Sequence, residues 1–190
     1  MFFSGNNHLG GQDFSLRLFK HILQEVEAEH GDVTSAEDLQ VLRTAVEEAK
    51  LNLSMHHTVE LDVTLNSVRT LARTRIPTHF KHSITRHKFE TLNEDLFKKV
   101  LTPISIVLEE AELTSAEIDE IVLVGGSTRI PKVRQLIGEY FGKAPDTSVD
   151  PELAVVTGVS IQAGILGGAW PLQVSALEVQ SSVQKISVNS

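Results

Sequence analysis

The stretch Ile121-Val122-Leu123-Val124-Gly125-Gly126-Ser127-Thr128-Arg129-Ile130-Pro131 constrains this chain more than any other. Four apolar residues, three of them β-branched, read as a buried strand. Two glycines follow directly. Ser127 and Thr128 suit the cap of a helix, and Pro131 suits its first turn. The pattern predicts a helix over Lys132 to Phe141, with Val133, Leu136, Ile137, Tyr140 and Phe141 facing inward and Gly142 as a left-handed stop. A strand, a bare Gly-Gly turn and a helix start form a place where a ligand can touch backbone. Missing Cβ atoms allow close approach, and N–H groups at a helix start attract anions and polar ligands.

The surrounding chain suits a soluble globular domain or two small subdomains, with 190 residues, 41% hydrophobic and 22% charged. A net charge of -8 argues against general nucleic-acid binding. There is no cysteine, so neither disulfides nor thiolate chemistry enter. No run approaches the ~20 apolar residues that span a bilayer, and Met1 to Asn7 does not read as a secretory signal. Between Val63 and Phe89 the charges are all basic: Arg69, Arg73, Arg75, Lys81, Arg86 and Lys88. That segment reads as a solvated hairpin with a basic rim, with a docking surface for an acidic partner as the alternative.

A helix is expected over about Phe14 to His30, on the stripe Leu18, Phe19, Ile22, Leu23 and Val26. Thr34 and Glu37 read as a capping box opening a second helix that ends near Leu53; Thr114 and Glu117 repeat the pattern before a short turn. Val59 to Leu65 alternates as a half-buried strand, Asn66 to Thr78 reads as turn, and His79 to Ile84 as a partner strand. A helix over Arg86 to about Leu101 follows, then one opened by Thr102-Pro103 and ending near Glu112. Asp150 is expected to cap a last helix to about Leu166, with Gly158 and Gly164 at close backbone contacts. The expected division is an outer α+β subdomain over residues 1–101, an inner α/β subdomain over 102–168 and a tail over 169–190. The inner part has too few strands for a complete sheet.

On the second helix, Glu47, Lys50 and Ser54 stand at i, i+3 and i+7. A carboxylate, an ammonium and a hydroxyl in one row suit the hydroxyls of a ribose and the acceptors of a purine. On spacing alone the row is equally an exposed ion pair of about 0.3–0.5 kcal/mol. Gly10-Gly11 is likewise ambiguous between a turn and a ligand contact. The eight histidines do not suggest a metal site. His56 and His57 are adjacent, His79 and His82 lie three apart in a strand, and no carboxylate is expected near the latter pair. No nucleophile triad and no Walker-type loop is present in the sequence.

Leu9-Gly10-Gly11-Gln12-Asp13-Phe14, Leu42 through Lys50, Leu92 through Phe97, Ile121 through Lys132 and Asp150 through Ala154 resemble, in order and approximate spacing, the 70-kilodalton heat-shock protein family. The likeness runs across nearly residues 8–168, and Ile121 to Lys132 is highly specific to that family. The run Gly167 to Glu178 is similar to the end of the family's microsomal ATPase-core branch. The resemblance implies an α/β, actin-like ATPase (ribonuclease H-like) fold, of which this chain covers the second lobe in two subdomains. It implies ATP or ADP as ligand, with the adenosine meeting Gly11, Glu47, Lys50, Ser54, Gly125, Gly126, Ser127, Arg129, Ile130 and Glu152. Glu47 and Lys50 would meet the ribose and Ser54 the purine. Gly125 and Gly126 would pass beneath the α-phosphate and sugar, and Arg129 would lie against the adenine. Leu51 stands where most relatives carry an arginine that stacks on adenine. Glu152 replaces an aspartate, and Gln12 a common glutamate. The family's first lobe, its phosphate loops and the aspartates that organise magnesium would precede Met1, so no ATP hydrolysis is expected of this chain alone. The resemblance further implies nucleotide-exchange factors or co-chaperones as partners, and the endoplasmic reticulum lumen as location. The competing reading is an interaction module without useful nucleotide binding; a sugar kinase is a weaker third.

Overall fold

The computed structural model describes residues 2–70 and 74–168 and divides into two compact units, Met1–Glu152 and Leu153–Ser190. The tail expected over 169–190 and Arg73 of the basic segment lie outside the described residues.

In the first unit, α1 (Gly11–His30) and α2 (Ala36–Leu53) lie against a three-stranded antiparallel sheet in the order β1 (Asp32–Val33), β2 (Thr58–Arg69), β3 (Arg75–Thr85). The helices bury the stripes their periodicity dictates: Leu18, Ile22 and Val26 on α1, Leu42, Val46 and Leu53 on α2. They meet Leu61, Val63, Leu65 and Val68 of β2 and Phe80 and Ile84 of β3. Each such side chain contributes about 1.5–3 kcal/mol on burial. At the start of α1 the Asp13 carboxylate accepts from the Gly10 N–H at 2.8 Å, tying down the turn that precedes the helix.

Several elements differ from the sequence expectation, each for a local reason. The cap of α2 is Ser35, whose hydroxyl accepts from the Asp38 N–H at 3.4 Å; Thr34 and Glu37 are exposed. Val33 is paired with Val68, which keeps the backbone extended up to Ser35. Asn66 to Thr78 is mostly strand, because the register shift between Leu65 and Val68 interrupts the two-residue period without ending the sheet. The Asn66 and Ser67 N–H groups are each taken by a carboxylate oxygen of buried Asp38, both at 2.8 Å.

The helix expected over Arg86 to Leu101 is broken into α3 (Arg86–Leu92) and α4 (Glu94–Lys99). Fully buried Asn93 sits at the break, and its side-chain amide donates to the Phe89 carbonyl. Phe89 and Phe97 from these helices close over Phe14 of α1; the Phe14 and Phe97 rings stack at 4.9 Å. Next comes α5 (Leu101–Glu110), whose cap position is Val100 and not Thr102. Glu117 accepts from both the N–H and the hydroxyl of Thr114, as the second capping pattern predicts.

The buried strand expected over Ile121 to Val124 is not formed: among these four residues only Leu123 is buried, and among the described residues Val122 makes one isolated parallel bridge, to Asp146. Ser127 and Thr128 do not cap the next helix. They lie in a 3-10 turn, Gly126–Arg129, and α6 (Pro131–Phe141) begins after Ile130 with Pro131 in its first turn. Gly142 ends α6 in the left-handed conformation, at φ 65°.

Asp150 accepts from the Glu152 N–H in a turn and is not a helix cap. In the second unit, α7 (Ala154–Leu166) buries none of its residues, and a Cβ on Gly158 would meet nothing within 4 Å, contrary to the close contact expected there. No helix of the described residues is long and apolar enough to cross a membrane.

Candidate functional site

Four separated stretches of the first unit converge on a cavity of about 680 Å³. Its lining comprises Gly11 from the start of α1, Glu47, Lys50, Leu51, Ser54 and Met55 from the end of α2, and Gly126, Ser127, Arg129, Ile130, Arg134 and Glu152 from the glycine turn, α6 and the Asp150–Glu152 segment. The volume falls in the range of small-molecule sites, roughly 300–1,000 Å³. Every residue expected from the sequence is in this lining except Gly125.

The row on α2 faces the cavity because the helix's other face is committed to the sheet through Val46, Ala49 and Leu53. Lys50 Nζ is 2.7 Å from Glu47 Oε1 and donates to the Gly11 carbonyl at 3.3 Å, while the Ser15 hydroxyl donates to Glu47 Oε2 at 2.5 Å. Burial acts to raise the Glu47 pKa. The hydrogen bonds from Lys50 and Ser15 outweigh it and hold the carboxyl below its ordinary value. Glu47 is therefore ionised near neutrality, with a lone pair left on each oxygen for a ligand hydroxyl.

Gly11 is the joint between α1 and the glycine turn. A Cβ there would lie 3.2 Å from Ser127 Oγ and 3.5 Å from Lys50 Nζ, so even alanine would press the Ser127 hydroxyl aside by a few tenths of an ångström. Gly125 has φ 94°, a conformation that disfavours side chains, and its N–H donates to the Pro151 carbonyl at 2.7 Å. Its own carbonyl takes both the N–H and the hydroxyl of Thr128. Gly125 thus shapes the turn, and Gly126 presents it to the cavity.

Arg129 reaches Asp150 at 3.0 Å and Glu152 at 3.2 Å, and the Asp150 carboxylate, with Glu152 behind it, raises the guanidinium pKa further. Arg134 Nε donates to the Thr128 carbonyl at 2.7 Å, which closes the far end of the turn. Leu51, 55% exposed, and Met55, 79% exposed, supply the apolar part of the lining. The arrangement can recognise hydroxyls through Glu47 and Lys50, accept a planar apolar group against Leu51, Met55 and Arg129, and offer positive charge from Lys50, Arg129 and Arg134.

Ser15, Met55 and Arg134 were not singled out from the sequence. Ser15 follows Gly11 by one helical turn, and that spacing is the only signal it carried. Outside the cavity, His79 does have a carboxylate neighbour: Asp62 on β2, at 2.6 Å, with Lys81 on its other oxygen at 2.8 Å. Antiparallel pairing supplies that neighbour from seventeen residues away. Among the described residues no group of three His, Asp or Glu side chains is arranged to hold a metal ion.

The family model described as Hsp70 protein matches residues 3–188 of this chain. The Heat shock 70 kDa protein 13 of Homo sapiens is 46% identical over 223 aligned residues, covering 98% of this chain and 47% of that protein. The protein of the same name from Mus musculus is 45% identical with the same coverage. The Chaperone protein DnaK of Thermotoga petrophila is 45% identical over 168 residues, covering 87% of this chain and 28% of DnaK. The chain spans about half the length of the heat shock 70 kDa protein 13 relatives it matches.

Proposed function

The chain belongs to the Hsp70 family, with its actin-like ATPase fold, and from that premise we propose that the cavity of its first unit binds an adenine nucleotide by the adenosine half. The observation that carries the reading is the convergence of Gly11, the Glu47–Lys50–Ser54 row and the Gly126–Arg129 turn on one cavity of suitable volume. Glu47 accepts from a ribose hydroxyl and Lys50 donates to its partner. Ser54 meets the edge of the purine. Arg129 lies against one face of the base, with Leu51 and Met55 toward the other. The backbone of the Gly126 turn runs beneath the sugar and the first phosphate, where its N–H groups favour negative charge.

The lining fits a nucleoside and not a magnesium ion, since its two carboxylates, Glu47 and Glu152, are both engaged by cations. Phosphoryl transfer needs further groups that position the phosphates and their metal, so the proposal is one of binding. Calorimetric titration with ADP tests it: the expected result is saturable binding that Glu47→Ala combined with Lys50→Ala abolishes, with the far-ultraviolet dichroism unchanged. No binding at millimolar ADP overturns the reading and favours an interaction module in its place. Unchanged affinity in the double variant overturns the ribose assignment alone.

A further inference from the structure

Arg86 stands outside the cavity and holds one of its walls. It is the first residue of α3, at the corner where β3 ends. Its side chain turns from the basic rim toward the end of α2. Nε donates to the Leu53 carbonyl at 2.7 Å, and Nη2 donates to the carbonyls of Ser54 at 3.3 Å and His56 at 3.1 Å. Its backbone N–H donates to the His57 carbonyl at 2.8 Å. The last carbonyls of a helix lack intrahelical partners and carry partial negative charge, so a cation there is favoured twice over. A planar guanidinium can serve several carbonyls in one fixed geometry, which an ammonium cannot.

The segment so held is the one that lines the cavity with Ser54 and Met55. Leu53 is packed in the core and Thr58 is paired with Thr85, and between them the segment has few other ties. Ser54 donates to Leu51, and Met55 and His56 both donate to Asn52, all within the same turn. Leu51 and Met55 are exposed, so packing does not hold them.

We propose that Arg86 is a positioning residue for the adenosine site: by gripping the end of α2 it keeps Ser54 and the apolar wall in place for the base, and it ties the β3–α3 corner to ligand affinity. The role rests on the nucleotide reading above. It predicts that any partner or substitution that displaces Arg86 weakens nucleotide binding without touching the cavity.

The test uses the full chain, with ADP as probe, in Arg86→Met, which keeps the apolar stem and removes the donors, and in Arg86→Lys, which keeps the charge. With the end of α2 displaced, ADP binds without the Ser54 and wall contacts, and its dissociation constant rises about tenfold in Arg86→Met. Arg86→Lys recovers part of the loss. Ser54→Ala weakens binding in the unaltered chain and adds nothing in Arg86→Met, a non-additivity that a general loss of stability does not produce. Amide exchange at residues 54–57 accelerates in Arg86→Met while that of the Leu42–Val46 segment does not. ADP binding in the unaltered chain that Arg86→Met leaves unchanged, or additive effects of the two substitutions, overturns the role of Arg86 alone. Absence of ADP binding in the unaltered chain overturns the nucleotide reading and this role with it.

Discussion

Asp38 is the side chain on which the seating of α2 against the hairpin most depends. It is 1% exposed, and its two oxygens each accept one backbone N–H, from Asn66 and Ser67, at 2.8 Å. Those two amides lie at the register shift of β2, where the ladder to β3 gives them no partner. Replacing Asp38 with alanine removes both bonds and leaves two strand amides unpaired beside the core. Hydrogen bonds to a charged group contribute about 1.5–3 kcal/mol each. Asn66 is exposed, so water can reach its amide once the carboxylate is gone, and the lower end of that range applies. The expected loss is about 3 kcal/mol, a large share of the roughly 5–15 kcal/mol that stabilises an ordinary domain. For a unit of this size that lowers the melting midpoint by about 6–12 °C.

Urea unfolding followed by circular dichroism measures the loss directly, provided the slope with denaturant stays that of the unaltered chain. Two companions sharpen it. Asp38→Asn retains one acceptor and opposes a donor to the second amide, so it recovers at most half of the loss. Glu37→Ala removes the residue that the sequence pattern alone names as the capping partner, and it changes stability by no more than about 0.5 kcal/mol. If Asp38→Ala proves as harmless as Glu37→Ala, the reasoning is refuted: the bulge amides are then satisfied without the carboxylate.

Leu51→Arg restores a cation at the apolar wall. It tightens ADP binding by about 0.5–2 kcal/mol, roughly two- to thirtyfold, in the same titration, and unchanged or weaker binding refutes the assignment of that wall to the base. His21 predicts a pH dependence in the neutral range. Its ring lies edge-on to His82 at 6.3 Å, and burial first, then the positive charges of Lys88 and His82, hold its pKa below the ordinary 6.5, against the opposing pull of Glu25. The unfolded chain binds that proton more readily than the folded one. The stability is therefore fully present above about pH 6.5 and declines as pH falls below it. His21→Leu flattens the melting midpoint between about pH 7.5 and about pH 5.5 relative to the unaltered chain, and parallel curves refute the assignment.

What could be read from the sequence follows from where each signal resides. The stripes of α1 and α2, the alternation of Val59 to Leu65 and the left-handed Gly142 are local, and periodicity or one special dihedral reveals them. The row Glu47, Lys50, Ser54 was legible as a face of a helix, but what that face meets was not readable from its spacing. The rest depends on distant partners. A one-residue bulge hid the end of β2 from Asn66 onward, because it reverses the side-chain alternation that marks a strand. The break at Asn93 depends on burial of its amide under the phenylalanine cluster. Ser15 matters through Glu47, thirty-two residues away, which no window along the chain connects to it. Arg86 read as one more charge in a basic run, yet its side chain ends on three carbonyls of the preceding helix terminus.

These contacts make α2 the element on which fold and site both turn, and they separate the two. Asp38 in its first turn and Arg86 at its last each match the sign of the helix end they occupy, and each ties that end to the β2–β3 hairpin or its corner. The two ends are about 24 Å apart at the rise of an α-helix, so they act on different things. The Asp38 end lies over the bulge, remote from Ser54 and Met55; the Arg86 end is the cavity wall. Asp38→Ala should therefore lower stability while the chains that remain folded bind ADP with the affinity of the unaltered protein. Arg86→Met should weaken binding by more than its effect on stability explains. Equal losses of affinity in both variants would mean that the helix moves as one rigid body and that the site has no local control at its C-terminal wall.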